Sequence, residues 1–189
     1  EKLKKNQQIK KFNKITHLKE IIKNCKNLGT LQFSIIARHG FIGRDLLLSL
    51  YERKILSFND IENFQSSLET ITSEMLYDLK KLNKKEFMLK YGHLRPGTYD
   101  ILSKRYDQSK GFNFFTKISN KKKYQFKISN KKKIEIEKLI KKNKFKIKSA
   151  DDLFSYIKKS VIGREYAKFI FTKSISKILE IIAKHGKKL

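Results

Sequence analysis

A single cysteine, Cys25, allows no internal disulfide and no cysteine-based zinc site, so packing alone must hold the chain together and a reducing cytoplasmic address is expected. No apolar run approaches the ~20 residues a membrane span needs. The richest stretch, residues 41–51, is interrupted by Arg44 and Asp45, so no membrane partner is expected. The chain opens on Glu1 with no signal-peptide core, and reads as a piece of a longer polypeptide. P-loop, dinucleotide fingerprint, zinc-ligand spacing and Ser/His/Asp arrangement are all missing. The chain therefore carries no self-contained catalyst: no catalytic residue, no metal set and no cofactor site of its own is expected.

Arginine is scarce too. The 45 basic residues divide into 39 Lys and 6 Arg, beside 24 Ile, 11 Asn and 4 Ala, a usage that A/T-rich codons would generate for any fold. The formal net charge of +27 invites a polyanion partner. Phosphate and base readers rely on Arg, however, so codon drift is the simpler source of the charge and nucleic acid is not the expected partner. Against this background each Arg, His, Gly or Pro marks a place where a commoner residue would not serve. Of these 19 residues, 11 fall in two windows, 38–44 and 91–107.

What remains is a folding chain, 39% hydrophobic with 14 Phe. Its length suits a single helical domain over residues 1–189. Apolar residues recur at the helical period over residues 2–27, ending near Gly29. Thr30 is placed to cap a second helix, apolar on much of its circumference and therefore expected to be central, in which Gly40 and Gly43 invite close approach. A third stripe starts at residues 57–60 and continues to about Leu82, and a short helix follows over residues 84–91. Residues 92–113 lose all periodicity and form a loop too long to be a passive connection, so it is assigned a functional role. The Lys-rich arm at 114–133 contains alternating Tyr124, Phe126 and Ile128, the pattern of a short strand or extended arm. Ser129 or Asn130 caps the next helix, and residues 149–152 open a long one in which Gly163 is a candidate kink and Gly186 the end. The fold class is mainly α, an irregular antiparallel helical bundle with one long ordered loop.

Three constellations are candidates for chemistry. In the loop, Gly92 and Gly97 offer backbone freedom and Pro96 stiffness, presenting His93, Arg95, Asp100 and Arg105 on a constrained frame. Arg grips phosphate or carboxylate bidentately, and His93 is of the type that exchanges a proton near neutrality. The plain alternative is a structural loop in which Asp100 pairs with Arg95 or Arg105 and His93 caps a helix end. On the second helix, Arg38 and Arg44 project to different sides while His39 and Gly43 share a face, with an ion pair for Arg38 as the alternative. Arg164, beside Gly163 on the last helix, is a ligand candidate or mere helix surface.

The strings YGHLRPGTYDILSKRYDQ, FSIIARHGFIGRDLLLSL, SSLETITSEMLYDL and IGREYAKFIFTKSISKILEIIAKHGKKL occur in an order that resembles the central helical region of phosphoenolpyruvate-synthase-like dikinases, a superfamily including pyruvate phosphate dikinases and rifampicin phosphotransferases. The resemblance runs from about Leu31 to the end. It implies an acceptor-binding or linker segment of a modular enzyme in which an ATP-grasp domain, using ATP and Mg, phosphorylates a swivelling histidine domain that serves a small-molecule acceptor. Neither domain has a counterpart in this chain, so the segment alone would be inactive. His93, Pro96, Gly97 and Asp100 match the motif. Relatives tend to read Gly-His-Arg-Gly and then an acidic residue, whereas here Leu94 follows His93, the arginine is Arg95, and Thr98 holds the acidic position. The rival reading is a polyanion-binding module built on Lys-rich residues 117–148 with interleaved aromatics.

Overall fold

A computed structural model of the chain describes residues 15–109 and 126–187. Within them the chain is mainly α-helical and contains no strand. A short 3-10 turn, Ile15–His17, leads into α1 (Leu18–Asn24), a π-helical segment (Cys25–Thr30) and α2 (Leu31–Glu52). Then come α3 (Phe58–Ser66), α4 (Ile71–Lys81) and α5 (Lys84–Tyr91). After the loop come α6 (Asn130–Lys142) and α7 (Ala150–Gly186).

The helix starts follow local chemistry. Ser57 and Asp60 form a reciprocal capping box on α3, and Asn83 and Glu86 another on α5. Ser129 accepts from the Lys132 amide at the head of α6, and Ser149 from the Asp152 amide at the head of α7.

Three expectations are corrected. The chain does not break at Gly29: Thr30 turns its hydroxyl back to the Cys25 carbonyl at 3.4 Å, and the wider π turn carries the helix through with Cys25 and Gly29 buried. The stripe expected to run from 57 to 82 is two helices, α3 and α4, because Ser67 ends the first by donating its hydroxyl to the Phe64 carbonyl at 2.6 Å. The apolar girth of α2 overstates its burial, since Leu31, Ile35, Phe41 and Ile42 are all exposed. The proposed strand or arm at 114–128 lies outside the described residues except for Phe126 to Ile128, which have no regular structure.

Two compact units result. One comprises Glu1–Ile35, Ile71–Ile118 and Glu165–Leu189; the other comprises Ile36–Thr70 and Ser119–Arg164. The second unit packs Leu47, Leu50, Phe64, Ile136, Phe154 and Ile157 into its core. Ile136 and Ile157 are wholly buried, each contributing about 2–3 kcal/mol of transfer free energy. The first unit centres on Phe87, Tyr91, Phe169 and Ile170, with a smaller cluster at Ile21 and Ile181.

Two helices end in the same way. At the end of α2, Lys54 N–H donates to the Tyr51 carbonyl and Ile55 N–H to that of Leu50; at the end of α6, Lys144 N–H donates to Lys141 and Phe145 N–H to Ile140. These are Schellman caps, whose left-handed residue is usually glycine. Here lysine occupies both positions, with φ of 59° at Lys54 and 53° at Lys144.

Candidate functional site: the loop after α5 and its latch on α7

The loop leaves α5 at Gly92, whose φ of −58° and ψ of −24° are right-handed. No glycine among the described residues has a positive φ, so the conformational freedom expected of Gly92 and Gly97 is not what they provide. They provide room. A Cβ on Gly92 would collide with the Met88 carbonyl oxygen and lie 2.9 Å from Cβ of Asp107, and one on Gly97 would lie 3.0 Å from Cβ of Asp100. The chain folds back tightly at both places. Tyr106 N–H reaches the Leu94 carbonyl and Asp107 N–H that of Gly92, closing the loop at its base. Further out, Gly97 N–H donates to Ser103 Oγ at 3.1 Å, and Leu102 N–H to Asp100 Oδ1 at 2.8 Å.

Arg95 holds this arrangement from beneath. It is 8% exposed. Its Nε donates to Ser176 Oγ at 3.0 Å and Nη2 to the Ser176 carbonyl at 3.1 Å, while Nη1 reaches the carbonyls of Ser103 at 2.6 Å and Asp100 at 3.5 Å. The expected Arg95–Asp100 pairing thus uses the backbone of Asp100, not its carboxylate. Burial, with Arg105 nearby, lowers the Arg95 pKa from its ordinary value. A guanidinium so fully engaged with protein acceptors is a structural tie between the loop and α7.

His93 and Arg105 add two more ties. His93 Nε2 donates to the Phe169 carbonyl at 3.2 Å, and its ring meets the Phe169 ring edge to face. Burial pushes its pKa down to about 3, with Lys173 and Arg105 acting in the same direction. The imidazole is therefore neutral at pH 7, and the expected proton exchange near neutrality is corrected. Arg105 grips Asp107 through two nitrogens and Glu180 on α7 through Nη1 at 2.9 Å. Asp100 is exposed, as is Pro96, and the loop turns Tyr99, Ile101 and Leu102 outward.

A fourth tie fastens α4 to α5. Asp78, 8% exposed, accepts from Lys90 Nζ at 2.6 Å and from the hydroxyl of fully buried Tyr91 at 2.8 Å. Lys90, with Tyr91 beside it, holds the Asp78 carboxyl below its ordinary range, while burial and Asp78 raise the Tyr91 phenol to about 12. Sequence reasoning missed this cluster and the partners of the arginines. The available signal was polarity where apolar residues belong: Thr172, Ser174 and Ser176 form a buried polar run in an otherwise hydrophobic stretch of α7.

His93, Arg95, Asp100 and Arg105 thus come together in one unit, whereas Arg38, His39 and Arg164 belong to the other. There Arg38 is exposed and His39 Nδ1 lies 3.0 Å from the Tyr156 hydroxyl. Gly40 and Gly43 admit α7: the Arg164 stem lies against Gly40, and the Ile157 backbone approaches Gly43. The Arg164 guanidinium sits over the Phe41 ring at 5.9 Å. Cys25 is buried, its thiol pushed up to about 11, and so unreactive. Among the described residues no group of three or more His, Cys, Asp or Glu could hold a metal, and no helix is long and apolar enough to cross a membrane. No family model, curated protein or solved structure matches the chain.

Proposed function

We propose that the chain is the central helical acceptor-binding or linker segment of an ATP-dependent, cytoplasmic phosphotransferase of the phosphoenolpyruvate-synthase-like dikinase type, inactive alone. The observation that supports this reading is an interlock. The string YGHLRPGTYDILSKRYDQ and the string FIFTKSISKILE, both of which carry the resemblance, meet through His93–Phe169, Arg95–Ser176 and Arg105–Glu180. Phosphoryl transfer needs reacting groups held in place more than it needs covalent chemistry from the scaffold. A fastened loop suits that task as a platform against which ATP-grasp and phosphohistidine domains of the same polypeptide work. The loop arginines then build the platform, and ligand contact falls to the groups it turns outward. The test is to incubate the full-length polypeptide from the same reading frame with labelled ATP. Acid-labile phosphohistidine that is discharged by pyruvate or another small acceptor, and absent from the 189-residue chain alone, supports the reading; a reading frame with neither partner domain refutes it.

A second reading has its own observation. Lys138, Lys141, Lys142, Lys144, Lys146 and Lys148 are all exposed, with Phe145 exposed between them. A polyanion-binding face of this kind predicts nucleic-acid affinity that falls steeply with salt.

A further inference from the structure

Beside the latched loop, in the same unit, lies a cleft of about 160 Å³ that no part of the phosphotransferase reading requires. Its floor is apolar, formed by Ile71 and Met75 of α4, Leu94 of the loop and Phe169 of α7. These side chains belong to the core cluster of that unit, so the cleft opens directly onto the core. Three hydroxyls line it, those of Thr72, Thr98 and Thr172, from α4, the loop and α7. Thr172 donates its proton to the Phe169 carbonyl at 3.0 Å, which leaves its oxygen lone pairs as acceptors. At the mouth Glu165 and Lys168, one turn apart on α7, place one charge of each sign.

Every wall is fastened by a buried or half-buried polar tie. The loop is held to α7 by His93, Arg95 and Arg105, and α4 to α5 by Asp78 with Tyr91 and Lys90. Ties of this kind contribute less to net stability than to fixing one geometry. They keep the cleft open without a ligand, so binding need not order its walls.

We propose that this cleft binds a compact neutral molecule with an apolar body and a hydroxyl group. Size sets the body: a ~150 Å³ apolar cavity accommodates benzene. The lining hydroxyls set the head group. Threonine hydroxyls exchange hydrogen bonds with an alcohol, and a mouth carrying both charges gives no preference to an anion or a cation. The inference does not rest on phosphotransfer, because binding requires only this chain.

The chain's two methionines provide the assay, since Met75 lines the cleft and Met88 does not. With methyl-labelled methionine, benzyl alcohol should move the Met75 resonance saturably and leave Met88 in place. Benzoate and benzylamine at equal concentration should bind at least about five-fold more weakly, the equivalent of one net hydrogen bond. Thr98→Val, which keeps the shape and removes a hydroxyl, should weaken benzyl alcohol by about five-fold. Thr98→Phe should abolish its binding while an unchanged Met88 resonance reports the fold. No saturable Met75 shift, equal shifts at both methionines, or benzoate binding as well as the alcohol overturns the proposal. These outcomes are independent of whether the full-length polypeptide forms phosphohistidine, so the two readings fail separately.

Discussion

Lowering the pH from 7 to 5 should destabilise the unit that holds His93, and the size of the effect follows from its surroundings. The His93 pKa falls from an ordinary 6.5 to about 3 in the folded chain, through burial first and then Lys173. The unfolded chain therefore binds a proton that the folded chain refuses. The stability this confers is complete above pH 6.5 and is lost as pH falls toward 3, at about 1.4 kcal/mol per unit. Between pH 7 and 5 the loss is about 2 kcal/mol. The depressed carboxyls, Asp60, Asp78 and Glu180, push stability in the same direction but only below their own ordinary range, so the window down to pH 5 belongs to the imidazole. Urea titrations followed by far-ultraviolet circular dichroism at pH 7 and 5 measure the loss. His93→Gln, which retains a donor for the Phe169 carbonyl, should be weaker at pH 7 yet lose much less between the two pH values. A wild-type loss below about 0.5 kcal/mol, or an equal loss in His93→Gln, would refute the assignment of a half-buried neutral imidazole.

Replacing Arg95 with Ala should cost about 2–4 kcal/mol in urea unfolding, because Ser176 loses the donors to its hydroxyl and carbonyl while still buried and the part-buried carbonyls of Ser103 and Asp100 lose theirs. Tyr91→Phe should cost about 1–2 kcal/mol by the same assay, since Asp78 keeps Lys90 but loses the phenol. Lys54→Gly and Lys144→Gly should each stabilise the chain by about 0.5–1 kcal/mol by relieving a left-handed side chain, visible as a higher urea midpoint. A lower midpoint for both would mean that the lysine side chains themselves hold the caps.

The helices were legible because their signals are local: the 3.6-residue stripes and the serines at 57, 129 and 149 lie next to what they specify. The misreadings come from signals that depend on the chain elsewhere. Gly29 looked like a helix end because glycine often is one, yet nothing there adopts a left-handed turn. The two described positions that do are lysines, so a search for scarce residues overlooked the places where glycine is most useful. Scarcity did locate the loop. It could not say that its arginines reach α7, because those acceptors lie about eighty residues away: Ser176 is an unremarkable serine until Arg95 is placed against it, and Glu180 becomes a partner only when Arg105 arrives. Long-range pairing of this sort leaves its trace in the burial of polar residues on α7, which the sequence alone does not display.

The central claim is that the loop's scarce residues build a fastened platform. Amide hydrogen exchange tests it most directly, because Leu94, Gly97, Leu102, Tyr106 and Asp107 all direct their N–H groups to internal acceptors. In the wild-type chain these amides should exchange at least about ten-fold more slowly than unstructured ones, and in Arg95→Lys, which lacks the planar fork, Gly97 and Leu102 should lose that protection while α5 keeps its own. A wild-type loop that exchanges at the unprotected rate, or one left unchanged by Arg95→Lys, would contradict the account.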